Sequence, residues 1–336
     1  IQGRGDGACA PCPVFMGLAQ CMRAGMAGRP MVVRGRCRPL CLPGAGLVHT
    51  VAMNADALTA EFSQWLVAQA QAGARPEQLI APLLQAGWDP TAASAAVDGA
   101  LRRYVAGHAQ AHGLPQPVAV PTPFQLNGPS QVHLADGRPI TVLGSNLHPR
   151  VVLLGNVLSA QECAELIDTA RGRLKRSATF NAATGQNQAH QSRTSDGTYL
   201  PTACTPLVAH IEQRIAELVG WPLAHAEPLQ VLHYGPGAEY KPHYDYFDPD
   251  GPGAEAALRH GGQRVATLVT YLNTPLRGGA TTFPDAGLEF AAVQGNAVFF
   301  SYDRAHPVTR TLHAGAPVIE GEKWVLTRWF RERRFG

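Results

Sequence analysis

The feature that most limits how this chain can fold is a change of hydrophobic period at Trp221. Before it, apolar residues recur at offsets of three and four, the spacing of helices with one buried face. After it, short apolar segments at Val265 to Leu272, Ala297 to Tyr302 and Trp324 to Phe330 are separated by turns rich in Gly and Pro. Many short strands following packing helices argue for a mainly β fold with flanking helices, an antiparallel sandwich or jelly roll.

The helical part divides in two. Leu58, Phe62, Trp65 and Leu66 form one stripe, and Leu79, Ile80, Leu83 and Leu84 a second, opened by Pro76 and stopped by Gly87. Asp89-Pro90 reads as an N-cap followed by a proline at the first helical position, ahead of a third stripe of Ala92, Ala95, Ala96, Ala100 and Leu101. These predict a small three-helix module over residues 53–112. Prolines at 115, 117, 121, 123 and 129 predict an extended linker, and the apolar residues around Asp136-Gly137 a hairpin, together spanning 113–148. A second domain is expected over 149–336, opening on a Val151–Leu154 strand. Ser159 and Glu162 form a capping box for a helix burying Cys163, Leu166, Ile167 and Ala170. Another helix starts at Thr205-Pro206, buries Leu207, Val208, Ile211, Ile215 and Leu218, and stops at Gly220.

Composition narrows the setting. Charged residues are 16% and apolar residues 45% of the 336, which suits a globular chain with a sizeable core. A formal net charge of +3 gives no reason to expect nucleic acid or an anionic membrane as partner. No run of eighteen apolar residues exists, so no membrane-spanning helix is expected. Five of the seven cysteines fall in the first 41 residues, and Cys9-Ala-Pro-Cys12 has no second pair to complete a zinc site. Without a disulfide framework a cytoplasmic setting is expected. Residues 1–52 are rich in Gly, Arg, Pro and Cys without sustained periodicity, and the expectation is a disordered or non-native extension with the natural start at Met53. The oligomeric state is left open.

The chemistry sits in the strand-rich half. In His243-Tyr244-Asp245 two good ligands stand at i and i+2, which on a strand leave the same face. His313 is the best third ligand. Two histidines and one carboxylate leave three positions open on an octahedral ion, the arrangement of non-haem iron(II) oxygenases, whereas a structural zinc site wants four protein ligands. Lys323 follows ten residues after His313, and a hairpin across Glu320-Gly321 would set it on the strand beside that histidine. Flanked by Trp324, Val325 and Leu326, its ammonium would point inward and need an anion, because an unpaired buried charge is expensive.

These residues stand in a longer series: Tyr234-Gly235, Glu239 through Phe247, Gly262-Gln263-Arg264, Tyr271-Leu272-Asn273, Gly278-Gly279-Ala280-Thr281, Phe283-Pro284, His313-Ala314-Gly315 and Gly321-Glu322-Lys323-Trp324, with Arg193-Thr194-Ser195 upstream. From about residue 149 onward the chain resembles the prolyl 4-hydroxylase family of iron(II)- and 2-oxoglutarate-dependent dioxygenases. The resemblance implies a double-stranded β-helix (jelly roll) with Fe(II) on His243, Asp245 and His313. It implies Lys323 on the distal carboxylate of the cosubstrate 2-oxoglutarate, with Tyr234 and Thr281 as hydrogen-bond donors, and Tyr240, Arg264 and Trp329 along the substrate groove. The expected reaction hydroxylates a C–H bond, foremost on proline in a peptide or protein, releases succinate and CO2, and uses L-ascorbate to rescue oxidised iron. Two positions depart from the family: Ala316 stands where many members have Cys, and Arg331 where some have His. The same site also admits oxygenation of a free amino acid, small metabolite or nucleobase. A catalytically silent metal-binding interaction module is the reading from another class; four intact site residues argue against it. The segment from Asp248 to Gly262 reads equally as a lid or an ordinary loop.

Overall fold

The computed structural model describes residues 58–122, 128–181, 186–189 and 192–336. The expectations for residues 1–52, including the Cys9/Cys12 pair and the start at Met53, lie outside the described residues.

Three helices come first: α1 (Ala60–Gln71), α2 (Pro76–Gln85) and α3 (Pro90–Ala111). Their starts follow local chemistry. The Thr59 hydroxyl accepts from the Phe62 amide, and the Asp89 carboxylate accepts from the amides of Thr91 and Ala92. The module has its own small core of Leu66, Leu79, Leu83, Ala93, Ala96, Val97 and Ala100. The buried face of α3 is turned from the predicted one: Ala93 and Val97 are buried while Ala95 is exposed and Ala92 half-buried. Among alanines the stripe is ambiguous, and packing against α1 and α2 decides it.

The predicted hairpin forms between β1 (Gln131–His133) and β2 (Pro139–Leu147). It is continuous with the large sheet, because β2 pairs with β3 (Arg150–Gly155) and Leu134 and Ile140 enter the main core. The sheet therefore begins before the boundary at 149 that composition suggested. Part of the proline-rich stretch is fastened to it: the Val118 amide donates to the Asp303 carbonyl, and Val118 and Val120 pack on the core.

The remaining strands are β4 (Lys175–Arg176), β5 (Ala178–Asn181), β6 (Gln186–Ala189), β7 (Asp196–Leu200), β8 (Leu229–Tyr234), β9 (Tyr240–His243), β10 (Arg264–Tyr271), β11 (Arg277–Gly278), β12 (Thr281–Phe283), β13 (Leu288–Phe290), β14 (Ala297–Ser301), β15 (His313–Gly315), β16 (Val318–Glu320) and β17 (Lys323–Arg331). The large sheet has the order β1-β2-β3-β14-β10-β17-β8-β7-β4, and a smaller one β13-β12-β15-β9. From β8 onward the chain crosses repeatedly between them: β8 large, β9 small, β10 large, β12 and β13 small, β14 large, β15 small, β17 large. That winding is a double-stranded β-helix, or jelly roll.

Helices α4 (Ala160–Arg171) and α5 (Pro206–Val219) pack on the outer face of the large sheet. Both keep the predicted caps, the Ser159/Glu162 box and Thr205 on the Val208 amide, and α5 ends at Gly220 in the left-handed conformation (φ 62°). A short helix, α6 (Ala254–Arg259), lies between β9 and β10. The layers are thus helices, large sheet and small sheet. Strand β17 shows how they are coupled, since all nine of its residues are buried. Trp324, Leu326 and Phe330 face the helices, where Arg328 also reaches Glu212 of α5 at 2.8 Å. Lys323, Val325, Thr327 and Trp329 face the cavity between the sheets. None of the described helices is long and apolar enough to cross a membrane.

Candidate metal centre and cosubstrate cavity

His243 and His313 are brought together by strand pairing, because β9 and β15 are neighbours and these two residues stand directly opposite each other. Asp245 lies two residues beyond His243. One ligand atom from each of the three lies within 4.8 Å of the others. His243 Nε2 is 3.5 Å from Asp245 Oδ1, and His313 Nε2 is 3.6 Å from Asp245 Oδ2. Each histidine turns its other nitrogen to a carbonyl: His243 Nδ1 is 2.9 Å from the Lys241 oxygen and His313 Nδ1 is 3.0 Å from the Thr311 oxygen. A carbonyl only accepts, so each Nδ1 carries a proton, and Nε2 is the nitrogen that each ring turns toward Asp245.

The electrostatics favour a cation. Burial alone would raise the Asp245 carboxyl, but His313, His243 and Arg264 hold it well below the usual carboxylate range. Burial, then the neighbouring His243, push the His313 imidazole down to about 4, so it stays neutral and able to ligate. Two imidazoles turned by their Nε2 atoms toward one ionised carboxylate suit a first-row divalent ion that keeps open positions.

Lys323 closes the far end of the cavity, but not by the predicted route. The chain after β15 forms β16 against β11 and then returns to the large sheet, so Lys323 stands opposite Tyr234 on β8 rather than beside His313. The short β16 uses up the hairpin register that the Gly321 turn suggested. The Lys323 ammonium reaches inward over the rings of Tyr234 and Tyr271, at 5.6 and 5.7 Å from their centres. The side chain is 3% exposed, and among the described residues no carboxylate pairs with it. Burial lowers it to about 8. Gly279, at φ 74°, lets the chain pass the lysine stem: a Cβ there would stand 3.2 Å from Lys323 Cδ. Thr281 on β12 lines the same end. Its oxygen accepts the Tyr271 hydroxyl proton at 2.8 Å, which leaves its own proton for a ligand. A cation without a carboxylate partner among the described residues and a hydroxyl thus line one cavity, the counterpart of a ligand carboxylate.

The groove residues are arranged in stacks. The Tyr240 ring lies 3.6 Å from that of His243, with the Arg193 guanidinium 4.8 Å above it. Burial pushes the Tyr240 hydroxyl up to about 12. Trp329 lines the cavity, and Arg264 stacks on it at 4.2 Å. Arg264 is engaged elsewhere: its Nε and Nη2 reach Glu227 at 2.6 and 2.8 Å. Arg331 joins the same carboxylate at 3.2 Å and donates to the carbonyls of Gly262 and Ala257, pinning α6. Gln263 bonds both backbone groups of Phe247. The Asp248–Gly262 segment is thus fastened at both ends.

The sequence assigned no role to Glu227, Thr267 or Tyr302, and it placed Tyr271 in the motif series without one. Thr267 had one faint signal, a hydroxyl at the centre of a largely apolar strand, and it shared that signal with Thr270. Glu227 had none, being a lone acid between a turn and a strand.

The match to known proteins falls on the same residues. The model of the 2OG-Fe(II) oxygenase superfamily matches residues 229–331. The chain is 36% identical over 202 residues to probable prolyl 4-hydroxylase 3 of Arabidopsis thaliana, covering 54% of this chain and 69% of that protein. It is 36% identical over 187 residues to prolyl 4-hydroxylase subunit alpha-1 of Bos taurus, covering 55% of this chain and 35% of the bovine one. Among solved structures, the viral collagen prolyl hydroxylase of Paramecium Bursaria Chlorella virus-1 aligns with a TM-score of 0.41 and 29% identity, over 54% of this chain and 95% of that one. Sequence kinship of that extent, falling on the segment that carries His243, Asp245, His313 and Lys323, makes the chain a member of the prolyl 4-hydroxylase family of iron(II)- and 2-oxoglutarate-dependent dioxygenases.

Proposed function

We propose that this chain 4-hydroxylates proline within a peptide or protein. In this reading His243, Asp245 and His313 hold Fe(II), and Lys323, Thr281 and Tyr234 hold the distal carboxylate of 2-oxoglutarate. When bound, iron and 2-oxoglutarate supply the oxidising chemistry, in which one oxygen of O2 enters a C–H bond and the other leaves in succinate beside CO2. The protein's part is to bind, orient and exclude water. Lys323 neutralises the cosubstrate's far carboxylate, and the Thr281 proton, directed by Tyr271, fixes its orientation. Trp329 and Tyr240 wall the space above the metal ligands.

The observation that carries proline in a chain, rather than a small free substrate, is a pair of orphaned donors. The Trp329 Nε1 and the Arg193 Nε are both buried and have no acceptor among the described residues. Both residues line the cavity. Unpaired buried donors are costly, and an extended peptide brings carbonyl oxygens to such places. Ascorbate as the reductant that restores Fe(II), and a cytoplasmic setting, belong to the same reading.

The test is anaerobic reconstitution with Fe(II), followed by 2-oxoglutarate turnover in air with and without proline-rich peptides. Peptide-stimulated succinate release with one oxygen added to a proline is the expected result. Iron-dependent turnover indifferent to every proline peptide would remove the substrate assignment. His243→Ala should abolish turnover, and full activity in that variant would overturn the ligand set.

A further inference from the structure

Asp245 is the sole carboxylate among the three candidate ligands, and one of its oxygens is already engaged. The Thr267 hydroxyl lies 2.7 Å from Asp245 Oδ2, and the Tyr302 hydroxyl lies 3.0 Å from the Thr267 oxygen. Proton counting gives the direction of the chain. An ionised carboxylate only accepts, so the single Thr267 proton must point at Oδ2. The Thr267 oxygen is then an acceptor, and the Tyr302 hydroxyl donates to it. All three groups are buried, and both hydroxyls come from the large sheet: Thr267 from the middle of β10, Tyr302 from just past β14, its neighbour. This is rigid scaffolding, not a loop contact.

The geometry points to Thr267 and Tyr302 as positioning residues that fix the Asp245 carboxylate for the metal, holding Oδ2 so that Oδ1 remains without a competing hydroxyl. The inference rests on Asp245 being a ligand. Held in this way the carboxylate would be offered through one oxygen, whereas one free to rotate could chelate with both and would leave an octahedral ion one open position fewer. Hydrogen bonds to metal ligands are typically worth about 10–100-fold in metal affinity.

The probe is Mn(II), bound to the full chain without 2-oxoglutarate and followed by the loss of its free-ion electron paramagnetic resonance signal, with the Co(II) visible spectrum as a second readout. Thr267→Val keeps the shape and removes the proton; its Mn(II) dissociation constant should rise about tenfold or more. Thr267→Ser restores the hydroxyl and should return to within about threefold of wild type, with the wild-type Co(II) spectrum. Tyr302→Phe should show a smaller loss, about threefold. Wild-type affinity in Thr267→Val overturns the inference. So does an equal loss in Thr267→Val and Thr267→Ser, which would mean packing rather than the proton. His243→Ala separates the two levels: if it binds Mn(II) as wild type does, the ligand set has failed, whatever Thr267 does.

Discussion

The two ends of the cavity treat buried positive charge in opposite ways. At the groove end the guanidinium groups of Arg264 and Arg331 share the Glu227 carboxylate, at 2.6 and 3.2 Å. At the other end the buried Lys323 ammonium lies over the Tyr234 and Tyr271 rings, with no carboxylate partner among the described residues. Paired charge is architecture: it is satisfied before any ligand arrives. Unpaired charge is completed only by a ligand's anion, and it makes the free protein less stable than it could be. At the groove end Arg264 backs the Trp329 wall, and the cavity-lining donors without a partner among the described residues are Trp329 Nε1 and Arg193 Nε.

Removing the built-in anion should have the largest effect. Glu227→Gln leaves two buried guanidinium groups uncompensated and should destabilise the protein by about 3–5 kcal/mol, read from urea unfolding. An unchanged midpoint would erase the distinction between the two ends. Removing the unpaired cation should do the reverse. The Lys323 ammonium is lowered from 10.5 to about 8, which corresponds to a cost of about 3 kcal/mol for keeping it charged in the free site. Lys323→Met should therefore raise the melting temperature of the ligand-free protein while weakening 2-oxoglutarate by about 2–5 kcal/mol, thirtyfold or more in KM. A destabilised Lys323→Met variant would mean that the ammonium has a partner after all.

How far each end was legible in the sequence reflects the same contrast. His243, Asp245, His313 and Lys323 stood out because a ligand site collects polar residues into a pattern, and Lys323 was conspicuous in an apolar strand. Helix caps such as Asp89 and Ser159 were legible because their partners lie within three residues. Glu227 was not, because its partners lie 37 and more residues away on strands whose pairing no local rule reports. The turn at Gly321 was read correctly as a turn but joined to the wrong strand, since β16 and β17 belong to different sheets. The face of α3 was misread because alanine gives little contrast.

Smaller effects sharpen the picture. Tyr271→Phe frees the Thr281 proton to turn away and should raise the 2-oxoglutarate KM by about fivefold, near 1 kcal/mol, with kcat little changed. The pH dependence is fixed in sign by Lys323. Its value in the folded protein lies below the ordinary one, so between pH 8 and 10.5 the unfolded chain binds the extra proton and stability rises with pH. The stability gap between Lys323→Met and wild type should be full below pH 8 and narrow above it. Cosubstrate affinity should move the other way, with the KM of wild type rising about tenfold from pH 7 to 9 as the ammonium is lost. A flat profile in wild type, matching that of Lys323→Met, would detach Lys323 from the cosubstrate.

Strand β17 makes the separation between the two ends a covalent length. Lys323 and Trp329 lie on one continuous strand, six residues apart, a span of about 20 Å at ~3.3 Å per residue. Because both faces of that strand are packed, it can neither stretch nor slip, and it acts as a ruler between the anchored end of the cosubstrate and the wall of the groove. One residue inserted between them would turn Trp329 toward the helices, and two would restore its face but carry it about 7 Å too far. What the site can reach is therefore set by counting residues, before any side chain in the groove is chosen.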